Sequence, residues 1–150
     1  MLLPSRRRAL SFLLTALALG TSGVQAGEPA NDFKVIVHPA RPETQLARGF
    51  LADAFLKNLT RWRDDETIRP VDQRSGAAVR RRFSEVVLKR SVSAVKTYWQ
   101  QRIFSGRGVP PPELDSDDAV VRWVEEHPGA VGYITGSASP GRTKVIAVIP

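Results

Sequence analysis

The segment with the clearest chemical potential is VDQRSGAAVRRRF, residues 71–83, in which a polar turn leads directly into a helical pattern. The first N–H groups of a helix lack partners within the helix and the helix dipole favours negative charge, so such a start can hold an anion. Ser75 would offer a hydroxyl group, and the N–H groups of Gly76 and Ala77 would face the ligand. Arg74 would add positive charge. The same residues also fit the simpler interpretation that Ser75 only caps the helix.

Other residue combinations with catalytic or metal-binding potential are weak. The chain has no cysteine, which excludes a thiol nucleophile, a disulfide and a cysteine metal site. His38 and His127 end a strand and a helix and do not form a metal-binding pair, although His127 could interact with the helix dipole. The acidic run from Asp64 to Glu66 could form a metal or acid–base cluster, but adjacent carboxylates in a turn are usually just solvated. Since no nucleophile–base pair is visible, we expect neither enzymatic activity nor a cofactor or metal.

The first 26 residues have the pattern of a secretory signal peptide. Residues 6–8 are three arginines, residues 9–19 (ALSFLLTALAL) are apolar, and residues 24–26 fit a signal peptidase site. Cleavage after Ala26 would leave 124 of the 150 residues, 27–150, as a single domain. Export through the twin-arginine route is a less favoured alternative to general secretion. We expect a periplasmic protein, and the absence of cysteine is compatible with that compartment.

Charge is distributed unevenly along the chain. The net charge of +7 falls to +4 when the three arginines of the signal segment are removed. Most basic residues lie between Lys34 and Arg107, whereas residues 113–126 carry six acids and one arginine. The basic surface could attract an anionic ligand or lipid headgroups, or it could simply be solvated. Export would separate the chain from most nucleic acid, and no segment after the signal is long and apolar enough to span a membrane.

The periodicity of apolar residues predicts alternating strands and helices. Strands are expected over residues 33–37, 68–71, 130–134 and 143–149. Helices are expected from Leu46 to Leu56 or Leu59, from Ser75, from Ser91 or Ser93 to Ile103, and from Ser116. In the second helix, an apolar stripe runs along one side and Arg80, Arg81 and Arg82 face away from it. The order β-α-β-α-α-α-β-β predicts an α/β fold with a partly parallel sheet.

Three segments together resemble the phosphate ABC transporter substrate-binding proteins. DAFLKNLTRW (53–62) is similar to their D-I-F-L-x-x-x-T-x-W segment, and RSGAAVRRRF (74–83) occupies the place of S-G-T-x-x-x-F. HPGAVGYI (127–134) resembles their P-G-A-I-G-Y segment, and the order and approximate spacing also agree. The resemblance covers residues 33–149. It implies one α/β lobe of a type II periplasmic-binding-protein fold, ligand capture in the periplasm and no catalysis.

The same resemblance implies that Ser75 and Gly76 contribute to phosphate binding, with Ala77 in place of a threonine. The family also places an arginine and an aspartate before this motif, where the present chain has Val71 and Gln73. Family members have two lobes that close on the ligand, whereas 124 residues supply about one lobe.

Two hypotheses follow from the residues and the resemblance. The first is an exported module that binds phosphate or a related oxyanion for ABC-type uptake, at Arg74, Ser75, Gly76 and Ala77. Its partners would be the anion and an ABC permease, and two copies could associate as a homodimer. The second is a partner-binding accessory module that kept the fold and lost the ligand site.

Overall fold

The computed structural model describes residues 32–150. The signal peptide expected over residues 1–26 and the start of the domain at residue 27 therefore lie outside the described residues. The strands are β1 (Phe33–Val37), β2 (Gln45–Ala47), β3 (Arg69–Pro70), β4 (Asp72–Gln73), β5 (Glu113–Leu114), β6 (Ala130–Thr135) and β7 (Lys144–Ile149). The helices are α1 (Arg48–Phe55), α2 (Ala78–Phe83), α3 (Val92–Phe104) and α4 (Asp117–Glu126), and α2 continues as a π-helical turn over Ser84–Leu88.

Five of the strands form one mixed sheet in the order β2-β7-β1-β6-β3. Strand β1 lies antiparallel to both β6 and β7, while β2 runs parallel to β7 and β3 runs parallel to β6. Pro70 lies in β3 at the edge of the sheet, where a residue without an N–H group interrupts no interior ladder. Strands β4 and β5 form a separate parallel pair, in which Asp72 lies opposite Glu113.

The core has two parts because the side chains of each strand alternate between the two faces of the sheet. On one face, α1, α2 with its π-turn, and α3 pack over Val35, Val37 and Tyr133. On the other face, α4 packs over Ile36 and Ile134. A Cβ atom at Gly132 would lie 2.9 Å from the side chains of Val71 and Val120, so a glycine there allows the close packing of α4 against β6. The predicted α/β fold with a partly parallel sheet is confirmed.

Several boundaries predicted from the pattern are wrong. The first helix begins at Arg48 rather than Leu46, because residues 45–47 pair with β7 as a strand. The second helix begins at Ala78, its N-cap is Ala77, and no side chain caps it, so Ser75 is not the N-cap. The three arginines of that helix do not all face away from the core, because Arg80 is buried. Ile103, expected in the buried stripe of α3, is half exposed.

The remaining helix starts agree with the sequence. Ser91 caps α3 by accepting a hydrogen bond from the Ala94 N–H at 3.1 Å. Ser116 caps α4 in the same way, with the Ala119 N–H as donor at 3.1 Å. At the other end of α4, His127 Nδ1 lies 2.6 Å from the carbonyl oxygen of Trp123, which confirms the interaction expected with the end of the helix. Within residues 32–150 no helix is long and apolar enough to cross a membrane.

Candidate functional site

Residues 74–77 form a turn between β4 and α2. The N–H of Arg74 donates to the Leu114 carbonyl oxygen at 3.0 Å, and the N–H of Ala77 donates to the Arg74 carbonyl oxygen at 3.0 Å. The second bond corrects the expectation that the Ala77 N–H faces a ligand, since it is used to close the turn. Arg74, Ser75 and Gly76 are exposed at the surface.

The start of the α2 helical segment, residues 78–88, keeps unpaired backbone donors. Among residues 32–150, the N–H groups of Gly76, Ala78 and Val79 make no hydrogen bond. A Cβ atom added to Gly76 would meet nothing within 4 Å, so the space in front of this glycine is open. The first turn also contains no acidic residue to neutralise the positive end of the helix. This helix start can therefore donate hydrogen bonds to a ligand from outside the chain.

Ser75 and Gly76 line a groove of about 570 Å³ between the start of α2 and one side of α3. Two cationic side chains, Arg80 and Lys96, line the same groove, and Glu113 contributes one carboxylate. Its other walls are largely apolar and come from α3 and the following loop. They are formed by Val92, Ser93, Trp99, Gln100, Ile103 and Pro110.

The buried wall of this groove is an ion pair that sequence reasoning missed. Arg80 Nη1 lies 2.6 Å from Asp72 Oδ1, and both side chains are about 5% exposed. The same Nη1 donates to the Gln73 carbonyl oxygen at 2.7 Å and lies 3.5 Å from a carboxylate oxygen of the half-exposed Glu113. Arg80 Nε has no hydrogen-bond partner within residues 32–150. Part of the positive charge beside the groove is thus already neutralised inside the fold.

Asp72 receives two further hydrogen bonds in addition to that of Arg80. The Tyr133 hydroxyl donates to Asp72 Oδ1, and the Gln73 N–H donates to the same oxygen at 2.9 Å. Burial nevertheless raises the pKa of Asp72 to about 6, against the opposing effect of Arg80. Burial and the nearby carboxylate also raise the pKa of Tyr133. The Tyr133 ring stacks on Phe83 with centroids 3.9 Å apart, which holds the hydroxyl in place.

A second connection joins this buried pair to the start of α4. Gln73 Nε2 donates to Asp117 Oδ1 at 2.7 Å and to the Tyr133 carbonyl oxygen at 3.1 Å. The same Asp117 oxygen accepts the Thr135 N–H at 3.0 Å. The side chain of Gln73, which stands where the resemblance implies a charged contact, therefore connects β4, α4 and β6. It is a positioning residue in this fold.

The other candidate groups lie apart from the groove. Asp64 and Glu66 each accept a hydrogen bond from Arg41 Nη1 at 2.9 Å, and Glu43 accepts two more from the same guanidinium. The interpretation of the acidic run as merely solvated is thus wrong for two of its three members. Within residues 32–150, no group of three or more histidine, cysteine or acidic residues is arranged to hold a metal ion. Arg41 also lies 4.3 Å from the centroid of the Trp62 ring, so the cluster stabilises the loop after β1.

No protein-family model and no curated protein matches the chain. Solved structures of transport proteins do match its fold. An ABC-type phosphate transport receptor from Vibrio cholerae aligns with a TM-score of 0.59 and 20% identity, covering 79% of this chain and 47% of that protein. A Clostridium perfringens protein assigned as a phosphate ABC transporter substrate-binding protein, solved with bound phosphate, aligns with a TM-score of 0.61 and 19% identity. This alignment covers 78% of the present chain and 44% of the other.

The PstS protein of Borrelia burgdorferi gives a similar alignment, with a TM-score of 0.53, 17% identity and coverage of 78% of this chain and 47% of that protein. The chain therefore spans less than half the length of the proteins whose fold it shares. The described residues have the architecture of a single lobe of these substrate-binding proteins. The resemblance seen in the sequence is confirmed at the level of the fold.

Proposed function

We propose that the protein is an exported solute-binding module that binds phosphate or a related oxyanion at Arg74, Ser75 and Gly76, with Ala77 closing the turn that holds them. The observation that carries this proposal is the placement of Ser75 and Gly76 on a groove that two cations, Arg80 and Lys96, also line. The fold shared with phosphate transport proteins supports the same ligand class.

The proposed contacts follow from the donors that the chain leaves unused. The Ser75 hydroxyl and the N–H group of Gly76, which both line the groove, would donate to the oxygen atoms of the anion. Ala77 acts differently from the threonine it replaces, since it has no hydroxyl and its N–H closes the turn. Ala77 would therefore fix the position of the helix start and would not contact the anion. Arg74, exposed on the turn, would supply charge that does not have to be withdrawn from an internal ion pair.

Binding at this site should be weak and sensitive to salt. The groove is open to water, so each charge–charge interaction acts in a high effective dielectric and is screened by ions. A single lobe also supplies only one side of the ligand, which removes the contacts that a second lobe would add. We therefore expect a dissociation constant in the range of about 0.1–1 mM at low ionic strength.

The wider role follows from the proposed ligand and from the signal sequence expected at the N-terminus. An exported phosphate-binding module would act in the periplasm, would pass its ligand to an ABC permease and would catalyse no reaction. The structural neighbours are named as transport proteins, which supports a transport role. We expect no cofactor.

Calorimetric titration with inorganic phosphate tests the proposal. The wild-type chain should bind phosphate at low salt, and Gly76→Val should weaken binding by about tenfold or more, since the new side chain covers an unpaired N–H group. The fold should be unaffected because the space around a Cβ atom at Gly76 is empty. Gly49→Ala is the matched control, since this glycine also has free space around it and lies on α1.

Absence of heat and of any thermal shift at millimolar phosphate would contradict the proposal. Equal phosphate affinity of the wild-type chain and Gly76→Val would show that phosphate does not bind at the start of α2.

One observation favours a second candidate function, a partner-binding accessory module without a ligand site. Arg80, the most buried cation of the groove, is already paired with Asp72 and lies near Glu113. An anion would then meet only the exposed charges of Arg74 and Lys96. A protein partner that stays bound when Ser75→Asp and Gly76→Val are introduced, together with a negative phosphate titration, would support this function.

A further inference from the structure

The surface at the end of α3 exposes large apolar side chains that the proposed phosphate site does not use. Phe104, the last residue of the helix, is 92% exposed, and Val109 in the following loop is 62% exposed. Ile103, which directly precedes Phe104 and also lines the groove described above, is half exposed. Exposed apolar side chains that cluster in this way mark an interaction surface more often than a single exposed residue does.

The backbone after α3 holds these side chains outward in a defined turn. Gly106 takes up the left-handed conformation with φ +66° and donates its N–H to the Ile103 carbonyl oxygen at 3.0 Å. The N–H of Arg107 donates to the Arg102 carbonyl oxygen at 2.8 Å, which completes a Schellman ending. Such an ending is usually accompanied by an apolar contact between the residues at these two positions, and here both are arginines. The turn therefore combines exposed apolar side chains with the exposed cation of Arg107, while Arg102 is half-buried and donates to the Tyr98 hydroxyl at 2.7 Å.

The charge of the surrounding segment has a single sign. Residues 89–112 contain five basic residues and no acidic residue. Ile103 and Pro110 line the same groove, which brings the two ends of the loop together on one side of the molecule. The basic residues of the segment are Lys89, Arg90, Lys96, Arg102 and Arg107.

We propose that this tip, residues 102–109, docks the protein onto the surface of an anionic phospholipid bilayer. Phe104 and Val109 would enter the interface between headgroups and acyl chains, and the arginines would remain at the level of the phosphate groups. Several cations near an anionic leaflet add attraction that a neutral bilayer does not provide. Charge complementarity selects this occupant, because an anionic lipid surface matches a segment without acids.

The alternative of a second copy of the chain has less support from the charges. The acidic segment that could pair with the tip is residues 113–126, and several of its carboxylates already contact their own chain. Asp117 accepts bonds from Gln73 and Thr135, and Glu125 accepts the N–H of Arg142 at 2.7 Å. Three of the six carboxylates in this segment, those of Glu113, Asp117 and Glu125, are therefore already engaged within their own chain, which reduces the attraction that a basic tip would meet on another copy.

Vesicle flotation of the chain from residue 27 to residue 150 tests the proposal. The protein should float with vesicles of phosphatidylcholine containing about 30% phosphatidylglycerol and should not float with phosphatidylcholine alone. Phe104→Ala should weaken binding by about tenfold or more, because burial of a phenylalanine side chain provides much of the affinity. Arg107→Gln should weaken it by about fivefold and high salt should abolish the remainder.

A matched pair of valine variants controls for loss of apolar surface in general. Val109→Ala should weaken vesicle binding, whereas Val145→Ala, at an exposed valine of β7, should not. Gly76→Val should bind vesicles like the wild-type chain, which separates this proposal from that of the phosphate site.

Three results would overturn the proposal. These are absence of binding to anionic vesicles at low salt, equal binding by Phe104→Ala and the wild-type chain, and equal losses in the two valine variants. Light scattering that shows a dimer dissociated by Phe104→Ala would assign the tip to a second copy and would likewise overturn the membrane proposal.

Discussion

The starts of α2 and α4 lie on either side of one buried network and differ in whether a side chain caps their backbone N–H groups. Ser116 caps α4, and Asp117 and Asp118 in its first turn complement the helix dipole. Helix α2 begins at Ala77 with no side-chain cap and no acidic residue in its first turn. A side chain of the same chain caps the start of α4, whereas no side chain caps the start of α2, which lies beside a groove that Arg80 and Lys96 line. Under the proposed function, the start of α2 is the one that meets an external anion, while the start of α4 serves the fold.

Removal of the buried carboxylate of Asp72, which pairs with Arg80 of α2, should have the largest effect. Asp72→Ala leaves Arg80 buried without its counter-ion, so we expect the free energy of unfolding to fall by about 3 kcal/mol. Chemical denaturation of the variant and the wild-type chain measures this loss. Glu113→Ala is the control, because its carboxylate is half exposed and lies 3.5 Å from Arg80, and it should cost less than about 1 kcal/mol. Equal losses would show that burial of Asp72 has no special role.

The titration of Asp72 should make stability depend on pH in a specific direction. The pKa of Asp72 in the fold, about 6, lies above its ordinary value of 3.8, so the folded state binds the extra proton. Its contribution to stability is therefore present below about pH 4 and is lost as the pH rises through about 6. Asp72→Asn cannot titrate. Relative to this variant, the wild-type chain should be more stable at about pH 5 than at about pH 7.

Denaturation curves of both proteins across this pH range measure the difference. A wild-type advantage that grows as the pH rises would mean that Arg80, rather than burial, controls the ionisation of Asp72.

Matched serine variants compare the two helix starts directly. Ser116→Ala removes a cap and should lower the free energy of unfolding by about 1 kcal/mol. Ser75→Ala removes no cap, since Ser75 lies two residues before the N-cap of α2, and should change stability by less than about 0.5 kcal/mol. Thermal denaturation of the two variants provides the test. A loss of similar size in Ser75→Ala would show that this serine supports the helix after all.

The pattern of apolar residues predicts most elements of this fold because those elements obey local rules. Strand β1 has its predicted bounds, since the β-branched run ends at a proline, and α4 begins where a serine precedes two acids. Strand β2 was missed because Leu46 and Phe50 have helical spacing, while its pairing with β7 joins residues about one hundred positions apart.

The candidate site was predictable only in part for the same physical reason. Ser75 and Gly76 are predictable because a polar turn directly precedes the apolar stripe of an amphipathic helix. The burial of Arg80 depends on Asp72, and the parallel pairing of β4 with β5 holds that carboxylate in place. Neither the stripe nor the net charge contains that information. A carboxylate eight positions before an arginine is the only signal that could have suggested the pair.

Amide chemical shifts during a phosphate titration test the central claim most directly, because each backbone N–H is observed separately. We expect saturable shifts at Ser75 and Gly76, and little change at Ala119, whose N–H is already held by Ser116. No shift at the amides of Ser75 and Gly76, or equal shifts at the start of α4, would contradict the account.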